Sequence, residues 1–180
     1  MNKVIVIGAG PAGLMAAEVL ATAGAEVHVY DAMPSAGRKF LLAGKGGLNL
    51  THSDPADVFV TRYGARAGAL APLLSTFGAE QLRAWAQGLG VETFVGTSGR
   101  VFPADLKAAP LLRAWLQRLR AAGSSDAGGC RSEQLLGQLH AAHALVVALH
   151  GGSLLALTLG SGLLVELAGA QFGQQADLLD

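Results

Sequence analysis

The sequence predicts an α/β domain with a parallel sheet, and three observations near its start carry that expectation. Val4-Ile5-Val6-Ile7 is a short continuous β-branched run, the kind of strand that a parallel sheet covers on both faces. Gly8 ends it. Pro11 to Ala23 follows as a helix rich in small residues, with Pro11 at or near its first turn, where a missing N–H does little harm, and Gly24 closing it. Glu26 to Tyr30 then reads as a second strand ending at Asp31. Strand, helix and strand in about thirty residues make the right-handed βαβ unit.

Pro34 to Ser53 reads as loop, with Gly37, Gly44, Gly46 and Gly47 set among Arg38, Lys39 and Lys45. Loops of this length inside compact domains are usually functional. Gly78 to Leu89 is expected to be helical, with Leu82, Trp85 and Leu89 on one face, and Val91 to Phe102 to form a hairpin turning near Ser98-Gly99. A further helix is expected from Asp105, carrying Leu112, Trp115, Leu116 and Leu119 inward and Arg113, Gln117 and Arg120 outward, and stopped by Gly123. Trp85 and Trp115 stand at helical core spacing and are read as packing residues. No internal repeat is visible.

At 180 residues the chain suits one domain with a real hydrophobic core. Thirteen basic residues balance thirteen acidic ones, so nothing in the charge points to nucleic acid or an anionic membrane surface, and the expected partner is a small molecule. The single cysteine, Cys130, excludes an internal disulfide framework and a cysteine-based zinc site. With only four apolar residues before Gly8 there is no apolar core of a signal peptide, and a cytoplasmic location is expected.

The composition changes near Gly123. Up to that point there are twelve Lys/Arg and eight Asp/Glu; beyond it, one and five. Leucine, alanine and glycine then dominate, Phe172 is the one aromatic residue, and no Asp, Glu, Lys or Arg occurs from Gln134 to Val165. The organisation expected is therefore a nucleotide-binding part over residues 1–123 and an atypical Leu/Ala/Gly-rich tail over 124–180, of the kind a frameshift or truncation produces. A charge-free stretch this long can span a bilayer. Its three histidines, its glycines and the lack of flanking Lys/Arg argue against that, and a helical cap on the open sheet is the remaining reading.

Gly8-Ala9-Gly10-Pro11-Ala12-Gly13 is a G-x-G-x-x-G that directly follows an expected strand and opens an expected helix. Gly8 permits the tight turn, Gly10 lets backbone approach a pyrophosphate, and Gly13 allows the helix to pack close to the strand. The helix then presents unpaired N–H groups and a partial positive charge to the phosphates. Asp31, eighteen residues beyond Gly13, ends the second strand where a carboxylate can accept hydrogen bonds from the adenosine ribose hydroxyls. The bland alternative is a glycine turn that binds nothing, with Asp31 an ordinary turn residue. These elements suit FAD and NAD alike, since both present ADP to such a turn.

The segment from Asp31 to Ser53, Asp-Ala-Met-Pro-Ser-Ala-Gly-Arg-Lys-Phe-Leu-Leu-Ala-Gly-Lys-Gly-Gly-Leu-Asn-Leu-Thr-His-Ser, closely resembles the signature of a bacterial family of FAD-dependent oxidoreductases, the aminoacetone-oxidase-like flavoproteins. A second block, Ser98-Gly99-Arg100-Val101-Phe102-Pro103-Ala104-Asp105-Leu106-Lys107-Ala108, resembles a later signature of that family. The resemblance covers roughly residues 1–123. It implies a Rossmann-type FAD-binding domain, FAD as cofactor, a small-molecule substrate, and NAD(P)H as a candidate reductant. Family members continue well past this length, with a substrate-binding region and a returning segment that completes the flavin site, so the fold expected here is incomplete. Ala144 to Gly152 is similar to the strand and glycine turn such flavoproteins use a second time.

By the same resemblance Gly8, Gly10, Pro11, Ala12, Gly13, Asp31, Ala32, Arg38, Lys39 and Asn49 are expected FAD contacts. Arg38 and Lys39 stand where cations can approach the diphosphate or adenosine end, and Asn49 where an amide can bond the flavin or its chain. Charged loop residues are also often simply solvated. Residues 99–103 fit either the flavin or substrate side of a cleft or a hairpin turn with Arg100 in solvent. His140, His143 and His150 lack a carboxylate or cysteine that would complete a metal set. No nucleophile-elbow sequence appears, so hydrolase chemistry is not expected, and no catalytic side chain is nominated.

Overall fold

The computed structural model describes residues 3–128, 144–150 and 153–158. It divides into two compact units, one formed by residues 1–38 with 119–180 and the other by residues 39–118.

The first unit begins as expected. Strand β1 (Lys3–Ile7) leads through helix α1 (Pro11–Thr22) to strand β2 (Glu26–Asp31), and β1 and β2 pair in parallel from Lys3↔Glu26 to Ile7↔Tyr30. Val4, Ile5 and Val6 are consecutively buried, as a strand covered on both faces requires. Leu14 and Ala17 of α1 are buried too, and Val27, Val29 and Tyr30 continue the core on β2. Strand β6 (Ser125–Gly128) pairs in parallel with the far side of β2, and strand β7 (Ala144–His150) in parallel with the far side of β1. Strand β8 (Ser153–Thr158) is antiparallel to β7, giving the order β6-β2-β1-β7-β8. The three described tail segments, β6, β7 and β8, are thus strands rather than the helical cap the apolar composition suggested. The expected strand at Ala144 is β7, and it lies beside β1.

The second unit corrects the loop expected over Pro34–Ser53. Helix α2 (Arg38–Ala43) and a 3-10 turn (Gly44–Gly46) occupy much of it, followed by the short strand β3 (Thr51–His52). The helical turn forms because Phe40 has a place to go: it packs on a core of Leu48, Ala86, Ala108 and Leu111, edge-on to Trp115 at 6.5 Å between ring centroids. Two helices for which the sequence gives no pattern come next, α3 (Ala56–Thr61) and α4 (Ala67–Thr76).

Helix α5 (Ala79–Gly88) stands where a helix is expected. The Gly78 N–H donates to the Gln81 side-chain oxygen at its start. The expected hairpin is strand β4 (Thr93–Val95) against strand β5 (Arg100–Pro103), with β3 on the other side of β5. Helix α6 (Ala108–Ala121) starts three residues after Asp105, because Asp105 caps a turn instead, its carboxylate accepting the Lys107 N–H at 3.0 Å. On α6, Leu112, Trp115 and Leu119 are buried and Arg113, Gln117 and Arg120 exposed. Trp85 and Trp115 meet edge to face at 4.7 Å, and the Arg118 guanidinium lies 5.6 Å from the Trp85 ring. Both tryptophans are packing residues, as their spacing predicts.

Leu111 is fully buried at the centre of this core, whereas Leu73 on α4 is 63% exposed. Leu111→Ala should cost about 2–5 kcal/mol in urea unfolding, and Leu73→Ala no more than about 0.5 kcal/mol. Equal losses would mean that the two side chains have the wrong environments.

Candidate functional site

Chain direction reverses after β1 through hydrogen bonds that engage the N–H of Gly8 and both main-chain polar groups of Ala9. Gly8, at a φ of 106°, donates its N–H to the Tyr30 carbonyl at 2.7 Å. Ala9 donates its N–H to Asp31 Oδ2 at 2.6 Å, and its own carbonyl accepts the Gly37 N–H at 2.8 Å. The other oxygen of Asp31, Oδ1, accepts the Met33 N–H at 2.7 Å. The end of β2 and the segment after it therefore hold the turn.

Gly10, extended at φ −79° and ψ 178°, is the cap of α1, and its carbonyl accepts the first helical bond from Leu14 N–H at 2.9 Å. The N–H groups of Ala12 and Gly13 precede that bond, and Pro11 has none, so the helix opens with main-chain donors that the helix itself cannot satisfy. No side chain caps this end and no acidic residue stands in the first turn. Its partial positive charge is left for an incoming anion.

Gly10 and Gly13 differ sharply. A Cβ built on Gly10 meets nothing within 4 Å, which is the open approach a pyrophosphate needs. A Cβ on Gly13 would lie 1.8 Å from the Gly8 carbonyl oxygen and 3.5 Å from Val6 Cγ1. The expected tight packing of helix on strand is thus, more closely, helix on the turn's own carbonyl. Pro11 and Ala12 are exposed, and so is Ala32 just after Asp31. The residues present fit the ADP half of FAD.

Arg38, Lys39 and Asn49 are all exposed. The first two open α2 instead of lying in a loop. Lys39 and Asn49 belong to the second unit, while Gly8 to Gly13, Asp31 and Ala32 belong to the first.

Within the second unit the two signature blocks meet. Leu48 N–H donates to the Leu106 carbonyl at 2.9 Å, Leu50 to Val101 at 2.8 Å, and Ser53 to Gly99 at 2.8 Å. A Cβ on Gly44 would lie 2.5 Å from that of Ala108, so this glycine allows the close approach of one block to the other. His52 completes the junction. Its Nδ1 lies 3.2 Å from the Asp54 main-chain nitrogen and 3.1 Å from Asp54 Oδ1, and its Nε2 lies 3.0 Å from the Ser98 carbonyl oxygen and 3.3 Å from Arg62 Nη2. Arg62 Nε donates to Asp54 Oδ2 at 2.8 Å. Sequence inspection gave His52 no role, because its carbonyl partner lies 46 residues away. Arg100 is exposed on β5, the second strand of the hairpin, with Val101 and Pro103 turned into the core.

Strand, glycine turn, open helix end and acid-ended second strand define a nucleotide-binding domain of Rossmann type. The chain belongs to the HI0933-like family: residues 2–159 match the HI0933-like protein Rossmann domain, an FAD-binding domain, and the chain is an FAD-binding flavoprotein. The match crosses Gly123.

Over 45 residues, 25% of this chain and 7% of the other, it is 50% identical to the multifunctional alkene reductase/demethylase OYE of Caballeronia cordobensis. Among solved structures it is similar to the 3-ketosteroid-Δ4-(5α)-dehydrogenase of Rhodococcus jostii RHA1, with TM-score 0.50 and 16% identity over 88% of this chain and 43% of that one. It is also similar to THI4 of Thermovibrio ammonificans, with TM-score 0.46 and 18% identity over 86% and 45%. The chain spans less than half the length of either solved protein.

Gly13→Ala should destabilise the first unit by about 3 kcal/mol or more, since backbone and not a flexible side chain must move aside, whereas Gly10→Ala should stay within about 1 kcal/mol. Denaturant unfolding of both variants tests this. Gly13→Ala folding at wild-type stability would mean that α1 does not lie against Gly8.

Proposed function

We propose that this chain is the cofactor-binding part of an oxidoreductase that acts on a small molecule by hydride or electron transfer, chemistry that bound FAD supplies. The observation that carries the proposal is the turn itself, with the N–H groups of Gly8 and Ala9 held from behind, open space at Gly10, and the N–H groups of Ala12 and Gly13 left without helical partners in front. The proposed contacts are Gly8, Gly10, Pro11, Ala12 and Gly13 at the pyrophosphate, Asp31 and Ala32 at the adenosine ribose, Arg38 and Lys39 at the diphosphate or adenosine end, and Asn49 at the flavin or its chain. All lie within residues 1–123. Protein side chains here position and solvate the cofactor, and no acid or base is assigned. NAD(P)H is proposed as reductant and the cytoplasm as location. Among the described residues no helix is long and apolar enough to cross a membrane.

Purification provides the first test: the proposal expects yellow protein with a flavin spectrum, and colourless protein that takes up no added FAD would sink it. Bound NAD without flavin would assign the turn to the other dinucleotide. Gly10→Val should leave the fold intact, since its backbone angles suit any residue, while placing a branched side chain where the pyrophosphate must lie. FAD uptake should fall at least about a hundredfold, a loss of roughly 3 kcal/mol, when followed by fluorescence quenching. Unchanged affinity in the folded variant would move the binding site elsewhere.

A further inference from the structure

We propose that Asp31 is a positioning residue for the glycine turn, acting through the Ala9 N–H independently of any contact with the ribose. This rests on the reading of the turn as the ADP site. Both carboxylate oxygens are engaged by main chain, Oδ2 by Ala9 at 2.6 Å and Oδ1 by Met33 at 2.7 Å. Ala9 is 3% exposed, so water has little access to its N–H once the carboxylate is removed. A buried main-chain donor without an acceptor is costly, and the peptide relieves that cost by rotating toward solvent. The next peptide is that of Gly10, whose carbonyl starts α1. Loss of the carboxylate therefore lowers the fraction of molecules whose turn is ready for a diphosphate, and apparent affinity falls by that fraction.

Coulombic repulsion alone predicts the opposite sign. A carboxylate beside a diphosphate site disfavours the anion, so its neutralisation would strengthen binding. Asp31→Asn keeps the shape and removes the charge. It offers one oxygen in place of two and turns an N–H2 group toward one of the two main-chain donors.

The test uses the full chain, ADP and 2′,3′-dideoxy-ADP as probes in titration calorimetry, and amide hydrogen exchange. Positioning predicts that Asp31→Asn weakens both nucleotides about tenfold, the scale of one charged hydrogen bond, and speeds exchange at the Ala9 amide but not at Val29 in β2. Weakened ADP with unchanged dideoxy-ADP would show that the carboxylate works only through the ribose, and overturns the proposal. So does unchanged exchange at Ala9.

Asp31→Glu is the second variant. It keeps the charge and the reach to a ribose but displaces the carboxylate by one methylene, so positioning predicts that it too weakens both probes, and wild-type affinity for both overturns it. A wild-type chain that binds neither nucleotide nor FAD overturns the reading of the turn as the ADP site, and this proposal with it.

Discussion

A side chain at position 13 has nowhere to go, because the carbonyl of Gly8 already occupies that space. That exclusion sets how closely α1 can lie to the strand that precedes it, and much else follows from it. With α1 drawn onto the turn, Leu14 and Ala17 reach the core formed by Val4 to Val6, Val27 and Val29. The end of the helix then faces outward beside Gly10, with its first donors unpaired. A larger residue at 13 would separate helix and turn. The same displacement would expose apolar surface and disperse the donors, so stability and phosphate binding in this unit share one geometric cause.

The second unit depends on a different kind of constraint. Its core is assembled from residues far apart in sequence, Leu48 and Ala108 among them, and its short strands offer few hydrogen bonds of their own. Extra closure comes from single main-chain bonds between the two signature blocks and from the His52 ring, held by Asp54 on one side and reaching the Ser98 carbonyl on the other. The two ring nitrogens thus tie Asp54 to the turn at Ser98, 46 residues along the chain from His52. The blocks that stand out in the sequence therefore contribute, in this unit, two paired strands, β3 and β5, of one small antiparallel sheet and the turns beside them.

Local rules made the first unit legible. A β-branched run, a proline one residue into a helix and a glycine turn each act over a few residues, and β1, α1 and β2 lie where those rules put them. Legibility failed where the deciding contact is distant or absent. The helix at Arg38–Ala43 hides among glycines and charges, and only Phe40 docking on the core declares it. Helices α3 and α4 bury no residue completely, so no apolar period marks them, and α4 even contains Pro72. Asp105 offers a plausible helix cap in sequence, yet its carboxylate closes a turn onto Lys107, and Leu106 adopts a φ of 60° that a helix cannot contain. The parallel pairing of β7 with β1 joins residues more than a hundred positions apart, beyond the range of any local rule.

Cofactor class and substrate class differ in legibility for a related reason. A dinucleotide is recognised at its phosphates by main-chain N–H groups, and the glycines that expose them leave a spacing that survives in the sequence: open space at Gly10, close contact at Gly13. A substrate is selected by side chains that converge on it from several elements, and such convergence has no fixed spacing. The Asp31 carboxylate shows how even a well-marked residue can carry more than its motif implies. Its position ending β2 marks a ribose contact, but only the folded chain brings Ala9, 22 positions earlier, within 2.6 Å of it. Main-chain recognition is thus written into residue spacing, while the contacts that prepare it for binding emerge only from the fold.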